Sequence, residues 1–198
     1  ISKNHAYISS SGDVYFSIES FQKYGTLTNL KLDKLIQSKR VLSDEYSSDT
    51  IQDFALWKAY KPSDGNVYWQ SPWGKGRPGW HIECSAMAMN LLGNSIDIHC
   101  GGVDNKFPHH ENEIAQSECF SQSKFVNYWL HSDFLLVDGE KMSKSKGNFY
   151  TLNDIIKKGM SVEEFRYMIF SAHYRSKINF SLKRINNAKK AISRITNL

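Results

Sequence analysis

The feature that most constrains this chain is the run Pro108-His109-His110-Glu111-Asn112-Glu113, which follows Cys84 at a distance along the sequence. Proline is favoured at the first position of a helix, so we expect His109 and Glu113 at i and i+4 on one helical face. Both side chains could bind one ion, and a Cys84 thiolate would complete a three-ligand zinc site with its fourth position open. A fold that forms this site must bring two separate segments together.

Spacing alone leaves the ligands of this site open. Both His109 and His110 are within reach of Glu113, and a histidine in the first turn of a helix could equally be a surface or second-shell group. Cys100 or Cys119 could replace Cys84 if the fold brought either thiol closer. A single cysteine is more often a small buried apolar residue than a ligand.

A second motif, Lys141-Met142-Ser143-Lys144-Ser145, is followed by Gly147-Asn148, which we expect to leave the backbone mobile. Mobile ammonium groups could compensate the β- and γ-phosphates as pyrophosphate departs in nucleotidyl transfer. The alternative for any lysine-rich string of this kind is a solvated charged turn.

Composition predicts a globular protein. The 198 residues, 40% of them hydrophobic, are enough for one sizeable core or for a domain with an appendage. No apolar run approaches the length of a membrane span, and the first residues lack the features of a signal peptide. Three cysteines without regular spacing indicate reduced thiols or a metal site. We therefore expect a cytoplasmic protein without membrane association.

Positive charge is concentrated at the end of the chain. The formal net charge is +5, and the residues from Thr151 onward include ten Lys or Arg against three Asp or Glu. A basic helical surface can contact RNA phosphates, although a solvated helix face explains such a run equally well.

The first part of the chain predicts a hairpin, a surface insertion and an aromatic loop. Ala6-Tyr7-Ile8 and Val14-Tyr15-Phe16 flank a turn at Ser11-Gly12-Asp13, which is typical of a hairpin. The stretch from Leu30 to about Thr50 is polar and predicts a surface insertion. The segment Trp69 to Trp80, rich in proline, glycine and tryptophan, predicts a rigid loop that presents aromatic faces.

The middle of the chain predicts an α/β layer. The expected elements are a helix from Ile82 to Leu92 ending at Gly93, a strand Ile96-Asp97-Ile98-His99, and the Pro108 helix. Between the strand and that helix, Gly101-Gly102 would let the backbone turn sharply or approach a ligand. A strand pair of Tyr128-Trp129-Leu130 with Phe134 to Val137, closed by Asp138-Gly139, is also expected. In such sheets ligands collect at the carboxyl ends of strands, which would place His99, Asp104 and His109 around one crevice.

Two helices are expected at the end of the chain. Ser161 and Glu164 form a capping-box pattern ahead of the first helix. Ser181 can cap the second, and its apolar residues Leu182, Ile185, Ala188, Ile192 and Ile195 recur at helical spacing. The two helices should pack together or on the catalytic layer.

Three motifs occur in one order and approximate spacing: Gly79 to Met87, Phe107 to Gln116, and Lys141 to Ser145 with Gly147-Asn148. With them, the stretch Gly74 to Asn148 resembles the catalytic domain of cysteinyl-tRNA synthetase, a class I aminoacyl-tRNA synthetase. The flanking segments Asp53 to Lys58 and His173 to Ser176 are also similar to family segments, so the resemblance covers nearly the whole chain.

The resemblance implies an α/β fold with three regions. Residues 1–50 would be an insertion or connective segment that contains β structure. Residues 51–150 would be the second half of a Rossmann-like, nucleotide-binding catalytic layer, and residues 151–198 a helical stem-contact region.

The resemblance also implies roles for particular residues. The family's ligands for one zinc ion per chain match Cys84, His109 and Glu113, and the ion binds the thiolate of substrate cysteine. Residues around the amino-acid pocket match Trp80, His99 and Asp104. Lys141 and Lys144 match the catalytic loop, with Lys144 also binding ATP, which enters with Mg²⁺. The implied reaction forms cysteinyl-adenylate from L-cysteine and ATP and transfers the cysteinyl group to tRNA(Cys); a monomer is expected.

The chain also departs from the family pattern. It contains no His-x-Gly-His, and nothing in it matches the family's additional zinc-ligating cysteine or its C-terminal anticodon-reading domain. We therefore expect an internal portion of a longer enzyme. Cys100 and Val103 stand where the family pattern usually has Gly and Ser.

Two alternative functions follow from the same residues. A cysteine ligase of the mycothiol pathway resembles the same domain and transfers cysteine to an amino sugar, but the continuation Asn112 to Gln116 and the basic tail favour the tRNA enzyme. A noncatalytic zinc- or RNA-binding module derived from a synthetase is the other alternative.

Overall fold

A computed structural model describes residues 1–30 and 53–197. The chain forms two compact units: unit 1 contains Ile1–His99 and Asp104–Trp129, and unit 2 contains Cys100–Val103 and Leu130–Leu198. The insertion predicted between Leu30 and Thr50 lies, beyond Leu30, outside the described residues. Within the described ranges, no helix combines the length and the apolar character needed to cross a membrane.

Unit 1 begins with a four-stranded antiparallel sheet whose strands pair in chain order: β1 (Ala6–Ile8), β2 (Val14–Phe16), β3 (Phe54–Ala59) and β4 (Gly76–Pro78). The pairing of β1 with β2 confirms the predicted hairpin. Its turn contains Gly12 at a φ of 84°, a backbone conformation that favours glycine. The domain limits implied by the resemblance stay a prediction.

Strand β4 corrects the expectation that Trp69 to Trp80 is a loop without regular structure. Gly76 pairs with Ala59, and a side chain at Gly76 would collide with the carbonyl oxygen of Lys58, so glycine permits the close pairing. Pro78 is tolerated because β4 is an edge strand. Trp80 is already the first residue of a helix.

The α/β part follows as α1 (Trp80–Leu92), β5 (Ile96–Gly102), α2 (Glu111–Ser121) and β6 (Val126–Ser132). The predicted helix and strand are confirmed, and Gly93 follows α1 at a φ of 90° and a ψ of 179°. The expected sharp turn at Gly101-Gly102 is wrong, because both residues belong to β5. Strand β5 pairs with β6. The chain does not turn at the two glycines, because pairing extends beyond them: the backbone N–H of Val103 donates to the carbonyl of Ser132.

Unit 2 contains a second sheet, with the order β8 (Glu140–Lys141), β7 (Leu135–Val137) and β9 (Ile178–Phe180). The predicted pairing of Tyr128-Trp129-Leu130 with Phe134 to Val137 is therefore wrong. Asp138 and Gly139 have positive φ angles of 48° and 85° and form the tight turn between β7 and β8 instead.

Three helices complete unit 2: α3 (Leu152–Lys157), α4 (Val162–Phe170) and α5 (Leu182–Thr196). The capping box of Ser161 and Glu164 is confirmed. Ser181 stands at the start of α5, but its side chain makes no capping hydrogen bond. Helices α4 and α5 contribute to one core with β7 and β9 through Val137, Met168, Phe180, Ile185 and Ala188, whereas Ile195 is exposed.

Candidate active site

Helix α1 carries Cys84 and starts directly against β3. The backbone N–H of Gly79, the residue before α1, donates to the carbonyl of Leu56 at 2.9 Å. A side chain at Gly79 would collide with the carbonyl oxygen of Ala55, so glycine allows the helix to begin this close to the sheet. Cys84 lies about one turn into the helix and is half-buried.

Pro108 does not open helix α2, contrary to the sequence prediction. The helix begins at Glu111, and Lys106–His110 form an irregular turn in which Phe107 is extended, with φ of −139° and ψ of 134°. The residue before a proline is sterically biased toward extended backbone, which accounts for the kink at Phe107. His109 nevertheless lies one turn before Glu113, and its Nε2 atom is 2.9 Å from Glu113 Oε1.

The structure brings Cys84, His109 and Glu113 together. The Cys84 sulfur, a His109 ring nitrogen and a Glu113 carboxylate oxygen all lie within 4.8 Å of one another. Zinc–ligand bonds are about 2.0 to 2.3 Å long, so atoms this close could bind one ion after small shifts. Burial, followed by the negative charge of Glu113, raises the pKa of the Cys84 thiol.

Glu113 shows most clearly that this cluster fits a cation. Its side chain is fully buried, and its two oxygens lie 2.9 Å from His109 Nε2 and 3.2 Å from His99 Nε2. Despite these short distances, neither oxygen accepts a well-directed hydrogen bond. A buried carboxylate whose contacts are poorly directed is costly, and a bound cation would offset that cost. The sulfur, nitrogen and oxygen donors together suit zinc.

Glu113 also belongs to a second group of potential ligands, with His99 and His110. Cys84 therefore shares its group with His109, whereas His110 occurs only in the group without a thiol. Cys119 is in neither group: it packs in the core of unit 1, where burial raises its pKa to about 11. Cys100 is exposed and also in neither group.

His81 is a buried neighbour of the cluster and was not among the predicted site residues. Its Nδ1 atom lies 2.8 Å from Nδ1 of His109, a hydrogen bond in which one ring donates and the other accepts. This contact orients the His109 ring so that Nε2 points to Glu113. The signal in the sequence was the i, i+3 spacing of His81 and Cys84 on one helix.

The three residues predicted around the amino-acid pocket have different surroundings. The Trp80 ring stacks on His109 with 4.5 Å between ring centroids and is 50% exposed. His99 contacts Glu113 and lies 4.7 Å from the ring of Trp129. Asp104 is an exposed loop residue after β5 and belongs to neither group of potential ligands.

The lysine motif forms a hydrogen-bonded loop in unit 2. Lys141 ends β8, and Lys144–Lys146 form a short 3₁₀ turn closed by Gly147 at a φ of 68°. Asn148 accepts from the backbone N–H of Ser143 at 2.8 Å and donates to the carbonyl of Lys141. Gly147 and Asn148 thus tie the loop together, where the sequence predicted a mobile backbone.

The ammonium groups of Lys141 and Lys144 are exposed and lie over aromatic rings. Lys141 Nζ is 4.2 Å from the Phe134 ring centroid, and Lys144 Nζ is 5.5 Å from that of Phe149. Within the described residues, neither lysine makes an ion pair with a carboxylate, so both charges could meet an anionic ligand.

Comparison with known proteins identifies relatives along nearly the whole chain. The chain is 57% identical over 200 residues to the cysteine–tRNA ligase of Brachyspira hyodysenteriae, covering 100% of this chain and 42% of that protein. It is 58% identical over 191 residues to the enzyme of Chlamydia caviae, with coverages of 96% and 40%, and 56% identical over 196 residues to that of Chlamydia muridarum, with coverages of 98% and 41%. The chain spans about two fifths of the length of these curated relatives.

These relatives confirm the resemblance to cysteinyl-tRNA synthetases that the sequence motifs indicated. The family model for the catalytic domain of class I (C) tRNA synthetases matches residues 1–190, which confirms the predicted α/β fold class. The chain therefore belongs to the family of class I (C) tRNA synthetases, within their catalytic domain.

Proposed function

We propose that the full-length protein containing this chain activates L-cysteine with ATP and transfers it to tRNA(Cys), with one zinc ion recognising the cysteine. The observation that carries this proposal is the cluster of Cys84, His109 and Glu113, in which a fully buried carboxylate has no well-directed hydrogen bond. The similarity to cysteine–tRNA ligases supports the same reaction. A cytoplasmic location and a monomeric state belong to the proposal too.

Cys84, His109 and Glu113 would hold the zinc ion. When bound, zinc would supply a soft electrophilic centre for the thiolate of cysteine. His81 would keep Nε2 of His109 directed toward the ion, and His99 would support the carboxylate of Glu113.

Trp80, His99 and Asp104 would surround the substrate. The exposed part of the Trp80 ring could cover the substrate and exclude water, since the ring already stacks on His109. His99 contacts Glu113 on the other oxygen and would limit the space for a larger side chain. Asp104 offers an exposed carboxylate that could pair with the α-ammonium group of an amino acid.

Lys141 and Lys144 would act on the phosphates of ATP, which enters as its Mg²⁺ complex. The carboxylate of cysteine attacks the α-phosphorus, the bond to the bridging oxygen breaks, and pyrophosphate leaves with the electron pair. Two ammonium groups would stabilise the charge that accumulates on this leaving group. A terminal ribose hydroxyl of the tRNA then attacks the carbonyl carbon, loses its proton and releases AMP.

Selection against serine follows from the chemistry of the proposed ligands. Serine differs from cysteine by one atom, and a simple apolar pocket distinguishes such isosteres weakly. A zinc ion prefers a soft thiolate to a neutral hydroxyl, so the discrimination could be large without a second hydrolytic site.

The test is charging of total tRNA with labelled cysteine by the full-length protein, with labelled serine as the competing substrate. Cysteine-dependent exchange of pyrophosphate into ATP, measured separately, reports activation without any tRNA. We expect both activities with cysteine and neither with serine. A Cys84→Ser variant should lose bound zinc by elemental analysis and weaken the binding of cysteine.

The other outcomes of these experiments would each favour a different interpretation. Exchange without charging would point to another acceptor, such as the amino sugar of the mycothiol ligase. Folded, zinc-loaded protein without exchange would favour a noncatalytic zinc- or RNA-binding module. Unchanged zinc content in Cys84→Ser would contradict the assignment of Cys84 as a zinc ligand.

A further inference from the structure

The hairpin formed by β3 and β4 presents aromatic rings to solvent. We define the aromatic hairpin surface as the side chains of Tyr60, Tyr68, Trp69, Trp73 and Lys75. Trp69 is 56% exposed and Trp73 39%, and both tyrosines are exposed to a similar degree as Trp73. Clustered exposed aromatic residues are characteristic of binding surfaces, whereas single ones are common.

Local contacts fix the backbone of this hairpin and pair two of its rings. Trp69 and Gly76 exchange two backbone hydrogen bonds of 2.7 and 3.0 Å, and Ser71 Oγ closes the tip by donating to the carbonyl of Gly74. The Tyr60 and Tyr68 rings meet edge to face at 5.4 Å. A ligand would therefore bind a hairpin whose backbone is already in place, which lowers the entropic cost of association.

The same hairpin is positively charged. Residues 57–78 contain Lys58, Lys61, Lys75 and Arg77, against the single acidic residue Asp64. Lys75 Nζ lies 4.6 Å from the ring centroid of Tyr68, so an ammonium group stands beside an exposed ring. Aromatic faces interleaved with lysines match the two parts of a single-stranded nucleic acid, its unstacked bases and its phosphates.

The hairpin leads directly into the cluster of Cys84, His109 and Glu113. Strand β4 ends at Pro78, α1 begins at Trp80, and the Trp80 ring stacks on His109. An acceptor RNA must bring its terminal ribose to the activated amino acid, so its last nucleotides must pass close to these residues.

We propose that the aromatic hairpin surface binds the single-stranded 3′ end of the tRNA, with bases stacked on Trp69 and Trp73 and phosphates beside Lys75. The choice of RNA as partner rests on the proposed function. Stacking requires unpaired bases, so the surface should bind a single strand in preference to a duplex.

The experiment measures binding of a fluorescein-labelled RNA of about eight nucleotides ending in CCA to the full-length protein by anisotropy. We expect Trp69→Ala and Trp73→Ala each to weaken binding about tenfold, since one base–aromatic stack contributes about 1–3 kcal/mol and 1.4 kcal/mol corresponds to tenfold. Trp69→Phe should restore most of the affinity. Lys75→Gln should reduce the slope of log affinity against log salt by about 0.7.

The matched control is Val67→Ala, which removes exposed apolar surface from the same hairpin without removing a ring. It should bind the RNA like the unmodified protein. Equal affinities of the tryptophan variants and the unmodified protein would overturn the proposal, as would tighter binding of a duplex of the same length. If Val67→Ala lost as much RNA affinity as the tryptophan variants, the effect would come from a disturbed hairpin fold, and stacking on the tryptophan rings would be contradicted.

Cysteine-dependent pyrophosphate exchange does not require RNA, so it tests the proposed function independently of RNA binding by the aromatic hairpin surface. If the surface acts only on RNA, the tryptophan variants keep the exchange rate while charging falls. If the unmodified protein shows no exchange, the proposed reaction fails, yet the RNA-binding comparison still decides whether the surface recognises single strands.

Discussion

The cluster of Cys84, His109 and Glu113 and the lysine loop are built by different physical means. Glu113 is fully buried and contacts His99 on another element, whereas Lys141 and Lys144 are exposed on a loop stabilised by neighbours within a few residues. A metal site needs donor atoms at short, fixed distances, so it depends on packing. Attraction between an ammonium group and a phosphate acts over a longer range and tolerates a flexible side chain.

The same difference appears within helix α2, between two glutamates two residues apart. Glu111 is fully buried, and its carboxylate accepts three hydrogen bonds, from the backbone N–H groups of Gly25 and Thr28 and from the Thr28 hydroxyl. Glu113 is equally buried but has none of good geometry. The first carboxylate therefore stabilises the fold by attaching the segment before residue 31 to α2, and the second is suited to bind a cation.

The largest expected effect is on metal binding by Glu113→Gln. The amide keeps the shape of the side chain but removes the charged ligand, so zinc affinity should fall by more than about 100-fold. The metal-free variant should be at least as stable as the unmodified protein, because a buried, poorly satisfied charge is gone. Zinc titration against a chelator and urea unfolding with chelator present measure the two effects. An unchanged zinc affinity would contradict the assignment of Glu113 as a ligand.

Glu111→Ala is expected to lower the free energy of unfolding by about 2–4 kcal/mol, because one buried donor and two part-buried donors lose their acceptor. Urea unfolding of the metal-free protein measures this loss. Glu111→Gln, which keeps one acceptor oxygen, should lose less. If Glu111→Ala and metal-free Glu113→Gln had the same stability, the proposed division of roles between the two carboxylates would be wrong.

In the lysine loop, Lys144→Ala should slow adenylate formation by about 100-fold, the effect of losing one group that stabilises transition-state charge. Zinc content and cysteine affinity should stay unchanged. Pre-steady-state measurement of adenylate formation tests this expectation. Lys146→Ala is the matched control, since Lys146 forms an exposed ion pair with Glu140 and its loss should change stability little. A loss confined to cysteine binding in Lys144→Ala would argue against a role in the chemical step.

The smallest effect is expected for His81→Gln. Removing the partner of His109 Nδ1 should lower zinc affinity by about 10- to 100-fold, because the ring of a ligand loses its orientation. The same chelator titration measures this loss, and His5→Gln serves as control because His5 hydrogen-bonds to Ser20 in the N-terminal part of unit 1. Affinity equal to that of the control would show that His81 does not position the ligand.

Sequence reasoning predicted elements whose signals are local. The β1–β2 hairpin, the end of α1 at Gly93 and the capping box of Ser161 and Glu164 each depend on residues close in sequence. The errors have a common origin: Gly101-Gly102 and the segment containing β4 were expected to be irregular because glycine and proline favour turns. Pairing with a neighbouring strand outweighed that preference in both places.

The sequence by itself determined the family, the candidate metal-binding residues and the lysine motif, because these depend on which residues occur and in what order. Only the tertiary structure decided that Cys84 shares its group with His109 and that His81 and His99 contact the same cluster. The physical reason is that donor atoms must lie within a few ångströms of one another, and that distance is set by how α1, α2 and β5 pack. No pattern of neighbouring residues encodes it.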